Sequence, residues 1–164
     1  MNEITPARYL LDFNTNALRT VRLVRTFTDG DLDLRPGEGS MTTAEQFNHL
    51  CACHNFVRGV LEDENPTTEL FKKSYDVSSV KAAIASLGES IGQVQSAAAR
   101  VTQGMWEEKI SPFGLDWLMT RGQMVYLMIE HEVHHRGQLT VYARVAGHTP
   151  VNLYLPVDDS VLNI

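Results

Sequence analysis

Apolar positions recur at helical spacing in four long segments of this chain. The first runs from about Pro6 to Phe27; Thr5 is placed to cap it, Pro6 suits its first turn, and Asp29-Gly30 ends it. The second runs from about Thr43 to Glu62. Thr42 and Glu45 have the spacing of a capping box, in which hydroxyl and carboxylate satisfy each other's orphan amides, and Asn65-Pro66 lies beyond the helix end. The third, rich in alanine, runs from about Ser79 to Gln103 with Ser78 or Ser79 as cap. Its Gly88, Gly92 and Ser96 leave one face nearly bare, which suits close approach of a neighbouring helix, or else a contact between two copies of the chain. The fourth runs from about Thr120 to Ala146, with Gly147 as C-cap and Pro150 as stop. The connections are long, roughly a dozen residues each, so consecutive helices need not be antiparallel neighbours and a crossover is open to the chain. No convincing set of strands is present, and the tail from Val151 to Ile164 reads as extended and lying against the helices. The pattern predicts an all-α four-helix bundle with long connections.

Composition narrows the function classes. A length of 164 residues suits one domain over 1–164, large enough to bury a core without disulfides. Twenty acidic residues against fourteen Lys and Arg give a net charge of −6, with no basic block, which argues against nucleic-acid binding. The longest apolar run, Met124 to Ile129, is far too short to span a bilayer, so no membrane association is expected. The N-terminus, MNEITPARYLLDF, has no basic stretch before its apolar residues and does not read as a signal peptide. Cys51 and Cys53 form neither a disulfide framework nor a CxxC pair, so the expected compartment is the cytoplasm.

The chemistry lies in the histidines. On the fourth helix Met124, Met128, His131, His135, Gln138, Tyr142 and Val145 follow alternating steps of four and three, the inward seam of a bundle. His131 and His135 therefore stack on adjacent turns of the core face, where two polar rings need partners. A divalent metal is one such partner; Tyr or carbonyl groups are the alternative. The second helix has its own seam of His49, Cys53, Phe56 and Val60, which makes His49 the candidate third ligand and leaves an open position for water or substrate. Cys53 is either a fourth ligand or a small buried hydrophobe. His54 lies on another stripe, with Phe47, Cys51 and Arg58, and is not a candidate ligand; His134 sits beside the site or on the surface; His148 follows the cap glycine and is expected to be exposed. Gln138 is placed either to orient a ligand or substrate or to fix helix register. Trp106, Trp117, Tyr126 and Tyr142 line a pocket mouth or serve as packing.

Residues 131–135, HEVHH, also match the HExxH pattern of zinc peptidases, with Glu132 as general base. No edge strand to hold a peptide and no HExxHxxGxxH continuation accompanies it. The bland alternative for Glu132 is a charge on the helix surface paired with Arg136 one turn on.

A second pattern uses more of the chain. His131-Glu132-Val133-His134-His135-Arg136-Gly137-Gln138, followed by Tyr142, Arg144, Gly147 and Pro150, resembles the closing helix of the DinB family, HxxHHRGQ then YxRxxGxxP. Phe47-Asn48-His49-Leu50 resembles that family's second-helix histidine. The resemblance implies a DinB/YfiT-like four-helix bundle, often a homodimer, holding a divalent metal (commonly nickel, zinc or iron) on His49, His131 and His135. Those are the three residues the seams select. The family's activities are mixed: thiol transferases that use glutathione, mycothiol or bacillithiol, a maleylpyruvate isomerase, proteins called metal-dependent hydrolases, and members with no known reaction. The expectation is a metal-dependent thiol transferase or hydrolase acting on a small molecule, with a low-molecular-weight thiol as cofactor in the transferase case, set against a non-catalytic metal-binding stress or damage-response protein.

Overall fold

The computed structural model describes residues 5–62 and 67–163. Its helices are α1 (Pro6–Val24), α2 (Thr43–Glu62), α3 (Val80–Ala98), a short α4 (Gln103–Glu107) and α5 (Arg121–Val145). Local chemistry sets most of their starts. Thr5 Oγ1 accepts from Arg8 N, Ser79 Oγ from Ala82 N and Thr120 Oγ1 from Gln123 N, while the Thr42–Glu45 capping box closes in both directions. Gly147, at φ +85°, ends α5 in a Schellman turn: its N–H donates to Arg144 O and that of His148 to Ala143 O. Asn65-Pro66, expected beyond the end of α2, lies outside the described residues.

The four long helices form a bundle in which α2 lies beside α3 and α5, and α1 beside α5 and α3. Thus α1 and α2, consecutive in sequence, sit on opposite corners, as do α3 and α5. The long connections span those diagonals, which short loops could not. The core is aromatic at one end, where Tyr9, Phe13, Trp106 and Tyr126 pack together. At the other end Phe27 meets Phe47 edge-on. Burying each large apolar side chain of this kind contributes about 1.5–3 kcal/mol. Helix α2 is buried on nearly every side, because a turn at Thr68–Lys72 covers the face that α3 and α5 leave open.

Several expectations needed correction. α1 stops at Val24, before Phe27: the amides of Thr26 and Phe27 bond three residues back, tightening the last turn and sending Phe27 inward. α3 stops at Ala98, because Thr102 adopts an extended conformation and its hydroxyl caps α4 instead. A two-stranded antiparallel hairpin, β1 (Lys109–Ile110) with β2 (Met119–Thr120), was not anticipated. Strands of two residues are too short for alternation to register. The bare face of α3 is not pressed tightly against a long helix: Gly92 and Ser96 border a cleft with Arg58 and Glu62 of α2. Gly88 lies under Leu162 of the tail, and a Cβ at Gly92 would face open space. Val145, placed on the α5 seam, is 53% exposed, because the seam turns away from the bundle in the last turn. The tail does pack on the bundle: Arg22 donates to the carbonyls of Leu155 and Pro156, and Arg25 to those of Val161 and Asn163. Among the described residues no helix is long and apolar enough to cross a membrane.

Candidate metal centre

Because α2 and α5 are neighbours, their two seams face each other. His131 and His135, one turn apart, have ring centroids 4.5 Å apart, and the His49 ring lies 5.3 Å from His131 and 4.5 Å from His135. His131 Nε2 and His135 Nε2 are 3.3 Å apart. Cys53 Sγ lies 3.5 Å from His49 Nε2 and 3.6 Å from His131 Nδ1. Potential ligand atoms of His49, Cys53 and His131 all fall within 4.8 Å of one another, and His135 adjoins that group through His131. Four side chains singled out from the sequence therefore converge on one point between two helices.

The electrostatics suit neutral nitrogen donors. Burial, then the charge on its histidine neighbours, depresses all three imidazoles: His49 beside His131, His131 beside His134, and His135 to about 4 beside His49, His131 and His134. A divalent cation binds neutral imidazole, so this donor set fits one without first losing protons at neutral pH. Burial pushes the Cys53 thiol in the opposite direction, far above its ordinary value. In the absence of metal Cys53 is thus a protonated, small, weakly polar neighbour of the three imidazoles, close enough to His49 and His131 to share a cation with them.

One residue missed in the sequence orients this site. Gln46 is 3% exposed and its Oε1 accepts from His135 Nδ1 at 2.8 Å. Its amide donates to Gln138 Oε1 at 3.0 Å and towards Tyr142 Oη at 3.5 Å, and Gln138 Nε2 donates to His134 Nε2 at 2.9 Å. The direction of this chain is set by Tyr142, whose single hydroxyl proton goes to Met41 O at 2.8 Å. The group turned towards Tyr142 must then be the Gln46 amine, leaving its oxygen for His135. His135 carries its proton on Nδ1 and presents the Nε2 lone pair to the cluster. Gln138 and exposed His134 belong to this chain and not to the cluster itself. The available signal was spacing: Gln46 precedes His49 by three residues, on the same side of α2.

Glu132 is not a surface charge. It is 3% exposed, its carboxylate accepts from Thr20 Oγ1 at 2.8 Å and faces His54 Nε2 at 3.5 Å, while Arg136 turns away to Asn16. His54 in turn bonds Ser90 Oγ at 2.8 Å. Glu132, His54, Ser90 and Thr20 therefore form a buried polar strut across the bundle. His148 is half-buried and bound to Asp31 Oδ2 at 2.7 Å, not free in solvent. Trp106 and Tyr126 are packing residues at the aromatic end, Trp117 is 49% exposed in the hairpin connection, and Tyr142 alone of the four lines a cleft at the cluster.

Two open clefts reach the cluster, one on either side of the segment Gly39-Ser40-Met41. The larger, about 690 Å³, is lined by His49 with Arg35, Asn48, Phe71, Tyr75 and Val77 among others. The smaller, about 400 Å³, reaches His135 along Gln46, Gln138 and Tyr142. The Phe71 ring stacks beside His49 at 6.4 Å and walls the larger cleft.

The DinB family profile matches residues 1–161. The chain belongs to the DinB family. Its DinB relatives include the Bacillus subtilis protein YjoA, 24% identical over 138 residues, covering 82% of this chain and 86% of YjoA. The structure of YjoA superposes with a TM-score of 0.74 over 91% of this chain and 95% of that one, at 21% identity. A DinB-like protein of Bacillus cereus gives 0.73 over 90% and 97%, at 20% identity. YfiT of Bacillus subtilis gives 0.69 over 91% of each chain, at 17% identity; it is described as a probable metal-dependent hydrolase with an unusual four-helix bundle topology. At these identities the superpositions establish the DinB four-helix fold.

Proposed function

We propose that this DinB-family protein is a divalent-metal-dependent enzyme acting on a small molecule, with His49, His131 and His135 as the ligands. The observation that carries the reading is the convergence of three depressed, neutral imidazoles at the meeting point of two open clefts. A divalent cation held there supplies Lewis acidity, lowering the pKa of water or of a thiol. The chain's own part is positional. Gln46 holds His135 in one tautomer, Cys53 keeps the inner side of the cluster apolar, and Met41, Phe71, Tyr75 and Val77 wall the larger cleft for an apolar substrate body. Hydrolysis is the first assignment, supported by the description of YfiT. Thiol transfer is the second, favoured by the paired clefts, which give a thiol and an electrophile separate approaches to the same point. Glu132 is committed to Thr20 and His54 inside the bundle, so the peptidase reading has no general base at the cleft.

The test is metal content by mass spectrometry on untagged protein, with His49→Ala and His135→Ala alongside. Turnover of p-nitrophenyl acetate, and of glutathione with 1-chloro-2,4-dinitrobenzene, is then measured with and without metal. The expected result is about one nickel, zinc or iron per chain, lost in both variants while helicity persists, and metal-dependent turnover in one assay. A wild-type chain that takes up no divalent ion on reloading refutes the metal site. Metal without any turnover across such a screen favours the binding-only protein.

A further inference from the structure

A third cavity, about 470 Å³, lies between α1, α5 and the tail, lined by Arg19, Val133, Arg136, Arg144, Val151 and Tyr154 among others. On α5 the positions 133, 137, 140 and 144 face away from His131 and His135, so this cavity is separate from the histidine cluster. Its charge is one-sided. Arg8, Arg35, Arg58, Arg100 and Arg121 each bridge a carboxylate, and Arg22 and Arg25 fasten the carbonyls of the tail. Arg19, Arg136 and Arg144 remain, and all three line this one cavity, with no acidic residue among its lining. In a chain of net charge −6 that is a concentrated positive spot.

None of the three bridges a carboxylate among the described residues. Arg19 Nε is buried with no hydrogen-bond partner, and the residue lines the cavity with no carboxylate beside it. Arg136 is held in place from below by Asn16, and Arg144 has one bond, to Thr140 O. Glu132 lies beneath Arg136 in the core, where it is bound to Thr20 and does not line the cavity. The rest of the lining is apolar or aromatic: Val133, Pro150, Val151, Leu153 and Tyr154, the last 89% exposed. Guanidinium groups match phosphate oxygens in geometry, and three of them exceed the needs of a single carboxylate. The aromatic and aliphatic wall leaves room for an organic group attached to that phosphate.

We infer that this cavity binds a small phosphomonoester, its phosphate held by Arg19, Arg136 and Arg144 and its organic part against Tyr154 and Val133.

The test is isothermal titration of the full chain at low ionic strength with phenyl phosphate, inorganic phosphate and benzoate, on the wild type, Arg19→Gln, Arg144→Gln and Arg8→Gln. Phenyl phosphate is expected to bind more tightly than either other probe. Arg19→Gln and Arg144→Gln should each weaken it by about tenfold or more, one charge-assisted contact apiece, while Arg8→Gln, whose partner is Asp12, leaves it unchanged. Arg144 lies on the exposed surface, so its variant decides the matter if Arg19→Gln does not fold. Absence of phenyl phosphate binding to the wild type, binding that survives both cavity variants, or benzoate binding as tightly as phenyl phosphate overturns the inference. Short duplex DNA binding through these arginines while phenyl phosphate does not would overturn it too.

Discussion

Replacing Gln46 with Leu tests the orientation of the metal centre without touching a ligand. The side chains are similar in size, so the helix and the packing against α5 are retained. What is lost is the acceptor for His135 Nδ1–H, a bond of 2.8 Å, because Tyr142 keeps Met41 O and half-buried Gln138 can turn to water. A donor stranded at a buried histidine costs about 1–3 kcal/mol, and His135 becomes free to carry its proton on Nε2, the atom aimed at the cluster. Removing such an orienting partner typically lowers metal affinity by about 10–100-fold, or about 1.4–2.7 kcal/mol. The assay is competitive titration of metal-stripped protein with zinc against a chromophoric chelator at pH 7.5, with helicity followed by circular dichroism. Gln138→Leu, one step further from the ligand, should fall less than threefold. A Gln46→Leu protein that is fully helical and binds zinc within about twofold of wild type would falsify the claim that Gln46 orients a ligand.

Two further outcomes are expected. Glu132→Ala leaves Thr20 with Asn16 O but takes the carboxylate from His54 Nε2 in the core, so urea unfolding should show a loss of about 2 kcal/mol, with Glu132→Gln losing less than half of that; a change within about 0.5 kcal/mol would mean that Glu132 behaves as a surface charge after all. In metal-stripped protein the unfolded chain protonates His135 near 6.5, whereas the folded chain resists until about 4, because of burial and then the neighbouring histidines. The unfolded state therefore takes up protons first, and stability falls as pH drops from 6.5 towards 4, by on the order of 2–3 kcal/mol, and is flat above that window. The difference between wild type and His135→Gln across this window isolates the effect; parallel curves for the two proteins would refute it.

The sequence by itself determined the helices, their caps and the paired histidines. Those features depend on contacts within about four residues: Thr5 with Arg8, Thr42 with Glu45, Ser79 with Ala82, Thr120 with Gln123, and His131 with His135 on adjacent turns. The helical period also places His49 and His135 on inward faces, but a face does not name its partner. Only the tertiary structure decided that α2 lies beside α5 while α1 and α2 take opposite corners, and so that His49 meets His131. It likewise decided what the polar residues between the seams do. Glu132 reads locally as a partner for Arg136, yet its hydroxyl partner Thr20 lies 112 residues away. Gln46 reads as an ordinary polar residue, yet it bonds His135 across 89 residues. Pairings at that separation come from the packing of whole helices, and the local pattern carries no term for them.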